Sequence, residues 1–524
     1  MNCRPLLAAA VLTLIAVGSS TSATAERYLV RRAAPAGLER DVEARFEQAL
    51  ERRGGRVLHQ FHELNVVAVE VEPEGARELA ALAGIRDVEP DPLRWVSGLR
   101  EKQLAPSPSN GLYGLVRTRM NETLAAHVAG LGIRIGVADT ALDCGHPDLA
   151  GALISSFDAT GNGGSCIGQR GVDPGEIHAT HVAGTALARN NKLGVVGGAP
   201  EARLLHARVC SGVPGQCFGS DVMEGVRGLV DRGAQIVNLS LGGANSSSIE
   251  QDFFRGIRDE GVLVVAASGN ADGAPVSFPA GYEGVMAVGA VDSADVLATF
   301  SNIGSALDVV APGVGVLSSV PRNQGRDPSL LATKNESFAA TDFTFGPLTP
   351  KAGVRKKLVD CGLGHQGECP TSVKGQIALI QRGELFFSEK VANAMAQGAA
   401  GVVIFNNAPG LFAGTLQTAL SPSGKKWIPV IAVSDTTGAT LEARFLGKLV
   451  TLFSVVSDYG TLSGTSMATP HVVAAAALVW AAHPDLDADG VEQRLIDTAE
   501  DLGDAGFDVR HGFGRIDAMR AIQE

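Results

Sequence analysis

The chain has 524 residues, of which 45% are hydrophobic and only 5% aromatic, with 64 glycines. That composition suits two to four folding units with tight turns and cores of small aliphatic side chains. A formal charge of -12 excludes the broad basic field a nucleic-acid partner needs.

Residues 1–25 read as a secretory signal. Arg4 gives the positive start, 6–17 the short apolar core, and Ala23-Thr24-Ala25 the small-x-small cleavage site. The apolar core is short for a membrane span and no second run of 18 or more apolar residues follows. The expectation is a secreted, extracellular protein, with the cell surface as the alternative address and no stable membrane span. Cleavage leaves six cysteines, Cys144, Cys166, Cys210, Cys217, Cys361 and Cys369, and an even count in an exported chain points to disulfides. Their order invites the local pairs 144–166, 210–217 and 361–369, among the fifteen pairings that six cysteines allow.

The first unit is read as 26–96: strands at 26–31, 57–58 and 66–71, helices at 38–52 and 74–83, and the helices on one face of a small sheet. Residues 97–108, rich in Pro and Ser, read as a linker. From 109 to 330 strands and helices alternate: strands at 133–138, 204–209, 235–239, 262–267 and 285–288, helices at 220–233 and 251–260. That alternation predicts a mostly parallel sheet covered on both faces, with sites beyond the carboxyl ends of its strands. Residues 331–457 read as an insertion with strand-like runs at 376–380, 401–405 and 428–433 and a helix at 390–397. Residues 458–524 return to the earlier pattern with an Ala/Val helix at 463–482 and a further helix at 490–501.

Hydrolysing an amide needs a nucleophile, a base for its proton and a group that orients the base. Asp139 follows an apolar strand, His178 stands where a helix begins, and Ser466 opens the Ala/Val helix, whose dipole favours developing negative charge. Spacing alone leaves open whether the three converge. Three blocks settle what the pattern resembles: Gly136-Val137-Ala138-Asp139-Thr140, His178-Ala179-Thr180-His181-Val182-Ala183-Gly184-Thr185 and Gly464-Thr465-Ser466-Met467-Ala468-Thr469-Pro470-His471-Val472. In this order they resemble the aspartate, histidine and serine motifs of the subtilisin-like serine peptidases, the subtilases. Ile236-Val237-Asn238-Leu239-Ser240-Leu241-Gly242-Gly243 and Ala267-Ser268-Gly269-Asn270 also have the family look.

The resemblance implies an α/β, subtilisin-like three-layer fold with a mostly parallel central sheet. It implies that Ser466 attacks the carbonyl, that His178 shuttles the proton and that Asp139 orients the imidazole. Asn270 and the Ser466 N–H would hold the oxyanion. Ser240, Leu241, Gly242 and Gly243, with Ala267, Ser268 and Gly269, would form the substrate edge. His181 and His471 read as packed structural residues. Residues 26–96 resemble a subtilase inhibitory propeptide, a small α+β unit whose tail lies in the groove until the enzyme cuts somewhere in 92–108. Within 331–457, Lys374-Gly375-Gln376-Ile377-Ala378-Leu379-Ile380-Gln381-Arg382-Gly383 and Gly398-Ala399-Ala400-Gly401-Val402-Val403-Ile404-Phe405-Asn406-Asn407 resemble a protease-associated (PA) domain, β-rich and inserted. It accounts for the 288-residue gap between His178 and Ser466.

The expected activity is that of a serine endopeptidase acting on protein or peptide substrates through an acyl-enzyme. Its specificity is read as broad, with apolar residues favoured before the cut and no dense acidic pocket. The chain is taken as a monomer with its own propeptide as intramolecular inhibitor. The chemistry needs no cofactor. The family often carries structural calcium, here without assigned ligands, although Asp143 and Asp148 are candidate acids. Where the family has glycine, this chain has Ala141 and Ala179, and where it has Ala-Gly, this chain has Val473-Ala474. The alternative reading is therefore a weak or inactive subtilase-fold binding protein acting through its PA domain. An α/β-hydrolase esterase is excluded, because Gly464-Thr465-Ser466-Met467-Ala468 lacks the final glycine of G-x-S-x-G and Asp and His precede Ser.

Overall fold

The structure is a computed structural model that describes residues 25–33, 39–96, 112–213, 215–412 and 414–524. The signal residues before 25 and the linker 97–108 lie outside the described residues. Two compact units divide at Pro90.

In the first unit, four antiparallel strands run in the order Arg56–Phe61, Val66–Val71, Glu26–Arg32, Ile85–Pro90. Alternation puts Val30, Val67, Val69 and Val71 on one face, where they meet Phe46 and Leu50 of helix Glu39–Arg52 and Leu79 of helix Pro73–Ala80. Ile85–Pro90, to which the sequence pattern assigned no element, forms the fourth strand.

The second unit, residues 91–524, is organised by a seven-stranded parallel sheet. Its order is Val309–Pro312, Val285–Val291, Leu263–Ala267, Ile236–Leu239, Arg134–Asp139, Arg203–Arg208, Leu153–Asp158. Ile135, Val137, Val265 and Val288 point to one face and share a core with helices His178–Leu187 and Thr465–Ala482. On the other face a Cβ at Gly136 would meet Leu229 of helix Gly219–Asp231, which packs beside Ser248–Asp259. Helix Thr465–Ala482 is long and apolar enough to cross a membrane, but 89% of it is buried within the fold, where it spans the sheet as a core element.

The insertion builds a separate nine-stranded mixed sheet, from Gly325–Thr333 to Leu449–Ser457, flanked by helices Phe387–Ala396 and Asp435–Phe445. Two apolar clusters, one around Ile380, Val402 and Ala432 and one around Leu379, Val403 and Ile431, cover its two faces. This sheet leads into Tyr459–Leu462, which pairs with Val316–Ser319 and delivers the chain to the Ser466 helix. Three cysteine pairs, 144–166, 210–217 and 361–369, have sulfurs 1.96, 1.97 and 2.25 Å apart.

Candidate active site

Arg134–Asp139, Ile236–Leu239 and Leu263–Ala267 are adjacent parallel strands. Their carboxyl ends therefore set Asp139, Ser240 and the 268–270 turn side by side, as expected of the open edge of such a sheet. Asp139 has no exposed surface. Both its carboxylate oxygens lie 2.9 Å from His178 Nδ1, and Oδ1 also accepts the Thr140 N–H at 2.6 Å. His178 begins its helix in a fixed place because Thr140 Oγ1 accepts the Ala179 N–H at 3.1 Å. The far nitrogen of the ring, Nε2, is buried and has no hydrogen-bond partner.

Ser466 is the second residue of its helix, at the end where the dipole is positive. Its Oγ donates to the Ser240 carbonyl at 2.8 Å, while Ser240 Oγ donates to the Ser466 carbonyl at 2.9 Å. Asn238 Nδ2 donates to Ser240 Oγ at 2.9 Å. Asn270 Oδ1 accepts from Thr465 N at 2.9 Å and from Thr465 Oγ1 at 3.0 Å. Anchoring the amide oxygen fixes the plane of the Asn270 side chain beside the first turn of the serine helix. The structure thus joins Asp139 to His178 by hydrogen bonds, and joins Ser466 to Ser240 and Thr465 to Asn270. The first coupling is the one the resemblance implied; the bonds of Ser466 with Ser240 and of Thr465 with Asn270 had no signal in the sequence blocks.

Three other histidines are packed rather than reactive. His181 bonds the Val316 carbonyl through Nε2 at 2.9 Å, and burial pushes its pKa down to about 3. His471 bonds the Met467 carbonyl through Nδ1 at 2.8 Å, and burial lowers it to about 4. His206 lies between the Thr140 carbonyl and Ser156 Oγ, each at 2.8 Å, and burial lowers it to about 4. Ala141 and Ala179 are both fully buried, and neither has positive φ. The alanines therefore sit in ordinary backbone regions where glycine is not required.

Sequence reasoning missed two buried acids. Glu176, two residues before His178, receives Arg208 through Nη2 at 2.7 Å and Nε at 3.1 Å, and accepts the Ala141 N–H at 2.8 Å. It ties the loop after Asp139 to the segment before His178. Glu250 sits in Ser247-Ser248-Ile249-Glu250, where Ser247 Oγ accepts the Glu250 N–H at 3.2 Å. Such an S-x-x-E sequence reads as a helix-capping box, so nothing in it announced a second use of the carboxylate.

Leu93–Val96, placed with the first unit from sequence, belongs to the second. It runs antiparallel between Gln216–Phe218 and Leu241–Gly242, with Trp95 opposite both Gln216 and Gly242 and Val96 opposite Leu241. The Val96 N–H donates to the Gly215 carbonyl at 3.1 Å. A short extended strand thus lies along the backbone edge that leads to Ser240 and Ser466.

Among the described residues no three or more His, Cys, Asp or Glu side chains gather as a metal site. Asp143 is held by Arg322 Nε and Nη2, both at 2.9 Å. Asp148 accepts from Asn191 Nδ2 at 3.2 Å and Ser319 Oγ at 3.1 Å.

Comparison with known proteins bears on all of this. The subtilase family profile matches residues 130–340 and 417–514, and the PA domain profile matches 337–441. An alkaline protease of Alkalihalobacillus alcalophilus is 32% identical over 348 residues, which cover 64% of this chain and 85% of that protein. Subtilisin BL of Lederbergia lenta is 40% identical over 225 residues, covering 42% of this chain and 78% of that protein. Among solved structures, the psychrophilic subtilisin-like protease Apa1 of the Antarctic psychrotroph Pseudoalteromonas sp. AS-11 superposes with a TM-score of 0.62 at 30% identity, covering 78% of this chain and 96% of that one. The matched segments hold the parallel sheet and the motifs of Asp139, His178 and Ser466, and the chain belongs to the subtilase family, as a subtilisin-like serine endopeptidase with an inserted PA domain.

Proposed function

We propose that this endopeptidase is exported as a zymogen and cuts proteins through Asp139, His178 and Ser466. The observation that carries the assignment is the His178 ring: Nδ1 is 2.9 Å from both Asp139 oxygens while Nε2 is buried without a partner. Asp139 fixes the tautomer that leaves Nε2 as the base. Ser466 Oγ, parked on the Ser240 carbonyl, turns about χ1 to give its proton to Nε2 as it attacks the substrate carbonyl. Catalytic hydrogen bonds of this kind tighten only when substrate is bound. The tetrahedral oxyanion is received by the Asn270 amide and the Ser466 N–H at the helix start. His178 then protonates the leaving amine, and water repeats the sequence on the acyl-enzyme.

Residues 26–90, with the tail 91–96, act as the inhibitory propeptide. The support is the tail strand Leu93–Val96, paired on both sides as a substrate strand would be. Ser240–Gly243 and 267–269 form the substrate edge. Glycine at 242 and 243 leaves room for a sizeable apolar side chain next to the bond, which favours broad choice at that position. The domain limits 97–108 for processing, 109–330 and 458–524 for the catalytic halves and 331–457 for the insertion follow the same scheme, with a monomer acting outside the cell. The test is self-processing. The purified precursor should shed its first unit within hours, and Ser466→Ala should stay intact. A Ser466→Ala precursor that still matures by itself would refute the scheme.

A further inference from the structure

The tail strand carries an arginine whose surroundings exceed what a mere plug requires. Arg94 has 0% exposure, and so does Glu250. The guanidinium Nη2 hydrogen-bonds Glu250 Oε2, and Nη1 donates to the Asn245 carbonyl at 2.8 Å and to the Leu93 carbonyl at 3.3 Å. Tyr282 OH donates to the same Glu250 oxygen at 2.7 Å and accepts the Ser247 N–H at 2.8 Å. Gly243 forms the rim: a Cβ there would lie 2.4 Å from the Leu93 carbonyl and 3.0 Å from Arg94 Nη1.

Burying a guanidinium and a carboxylate is unfavourable unless each finds its partner, and apolar side chains in the same space would cost less. The acid and its Tyr282 donor belong to the body of the enzyme, on helix Ser248–Asp259 and the 282 loop. The cation arrives on a four-residue strand of the groove. When that strand leaves, Glu250 keeps Tyr282 but loses its counter-charge, so the pocket favours the next strand that brings one.

The register fixes where on a substrate the cation must stand. Val96 lies opposite Leu241. One residue further along an extended substrate strand stands level with Ser240, whose carbonyl holds Ser466 Oγ. That is the residue whose carbonyl is attacked, so the Arg94 position is the fourth residue before the cut. The geometry points to Glu250 as the floor of a cation-selective subsite, and to protein substrates bearing arginine at the fourth position before the scissile bond. The assignment rests on the protease reading above. Arginine fits better than lysine because two guanidinium nitrogens reach two separate acceptors, Glu250 and the Asn245 carbonyl, which a single ammonium does not span.

The test uses the self-processed enzyme and three internally quenched peptides. They read X-Trp-Val-Ser before the cut and are identical after it, with X as arginine, citrulline or leucine. Citrulline keeps the shape of arginine and removes its charge, so no protein variant is needed for the first comparison. A charge-assisted bond to a buried carboxylate should give arginine a kcat/KM about 10- to 100-fold above citrulline. Glu250→Gln, with active enzyme counted by phosphonate titration, should shrink that ratio to about threefold or less, whatever it does to the absolute rates. Equal rates for arginine and citrulline in the parent, or an unchanged ratio in Glu250→Gln, would overturn the subsite and leave the protease reading standing. Failure to cut any of the three, leucine included, would remove the protease reading and the subsite with it.

Discussion

Replacing Glu176 by alanine removes the acid from a pair with no access to water: Arg208 and Glu176 side chains are 1% and 0% exposed. The variant loses both contacts from Arg208 and also the acceptor for the Ala141 and Gly212 N–H groups, at 2.8 and 3.0 Å. Arg208 keeps the Gly164 carbonyl at 3.0 Å and the Asp158 carboxylate at 3.9 Å. Breaking a buried pair from one side costs about 3–5 kcal/mol. With Asp158 still near, the expected loss lies at the lower end, about 3 kcal/mol. The assay is urea unfolding followed by fluorescence, in a Ser466→Ala background that removes autolysis. The part of the cost that arises from the uncompensated guanidinium should be recovered by Glu176→Leu combined with Arg208→Met, while the Ala141 and Gly212 N–H groups stay without their acceptor in both variants. A loss below about 1 kcal/mol in the single variant, or a double variant no better than the single, would refute the argument.

Asn270→Ala should fold and process slowly, with kcat down about 100- to 1,000-fold and KM little changed. That magnitude is the cost of removing the corresponding donor in a subtilisin; a rate within twofold of the parent would refute the role. Stability should fall on acidification. His181, His206 and His471 titrate in the native state at about 3, 4 and 4, below the roughly 6.5 of the unfolded chain. Their contribution is therefore present above about pH 6.5 and is lost as pH falls through the native values, each by up to about 1.4 kcal/mol per pH unit. Asp308 acts in the opposite sense, since burial pushes its pKa up to about 7. Its contribution is present below about pH 4 and fades as pH rises to 7, offsetting one histidine. The urea midpoint of the Ser466→Ala protein should drop steadily between pH 6.5 and 4.5, and a flat or rising midpoint would contradict the buried neutral imidazoles.

The sequence was most legible where a single local signal decided the structure. The runs around Asp139, Asn238 and Ala267 are continuous apolar strands ending in small or polar residues, and they occupy the centre of the parallel sheet. Its edges were not legible. Leu153–Asp158 is only partly buried and carries Ser155 and Ser156, so it lacks the apolar run of an inner strand. Leu93–Val96 is recognisable only by its partners 120–150 residues away, because four residues show no period. The long mixed-sheet strands Gly325–Thr333 and Leu449–Ser457 pair across the whole insertion, a register no local pattern encodes. At the site, the residue types at 139, 178 and 466 were readable, whereas Glu176 and Glu250 were hidden as ordinary loop and capping acids. Their meaning depends on Arg208 and Arg94, which the fold alone brings to them.

The most direct measurement is fluorophosphonate labelling of the secreted, self-processed protein, with peptide mapping of the adduct. The account predicts a single label on Ser466, abolished in a folded, propeptide-free His178→Ala enzyme. A properly folded, propeptide-free parent that takes no label, or takes it on another residue, would contradict the claim that Asp139 and His178 activate Ser466.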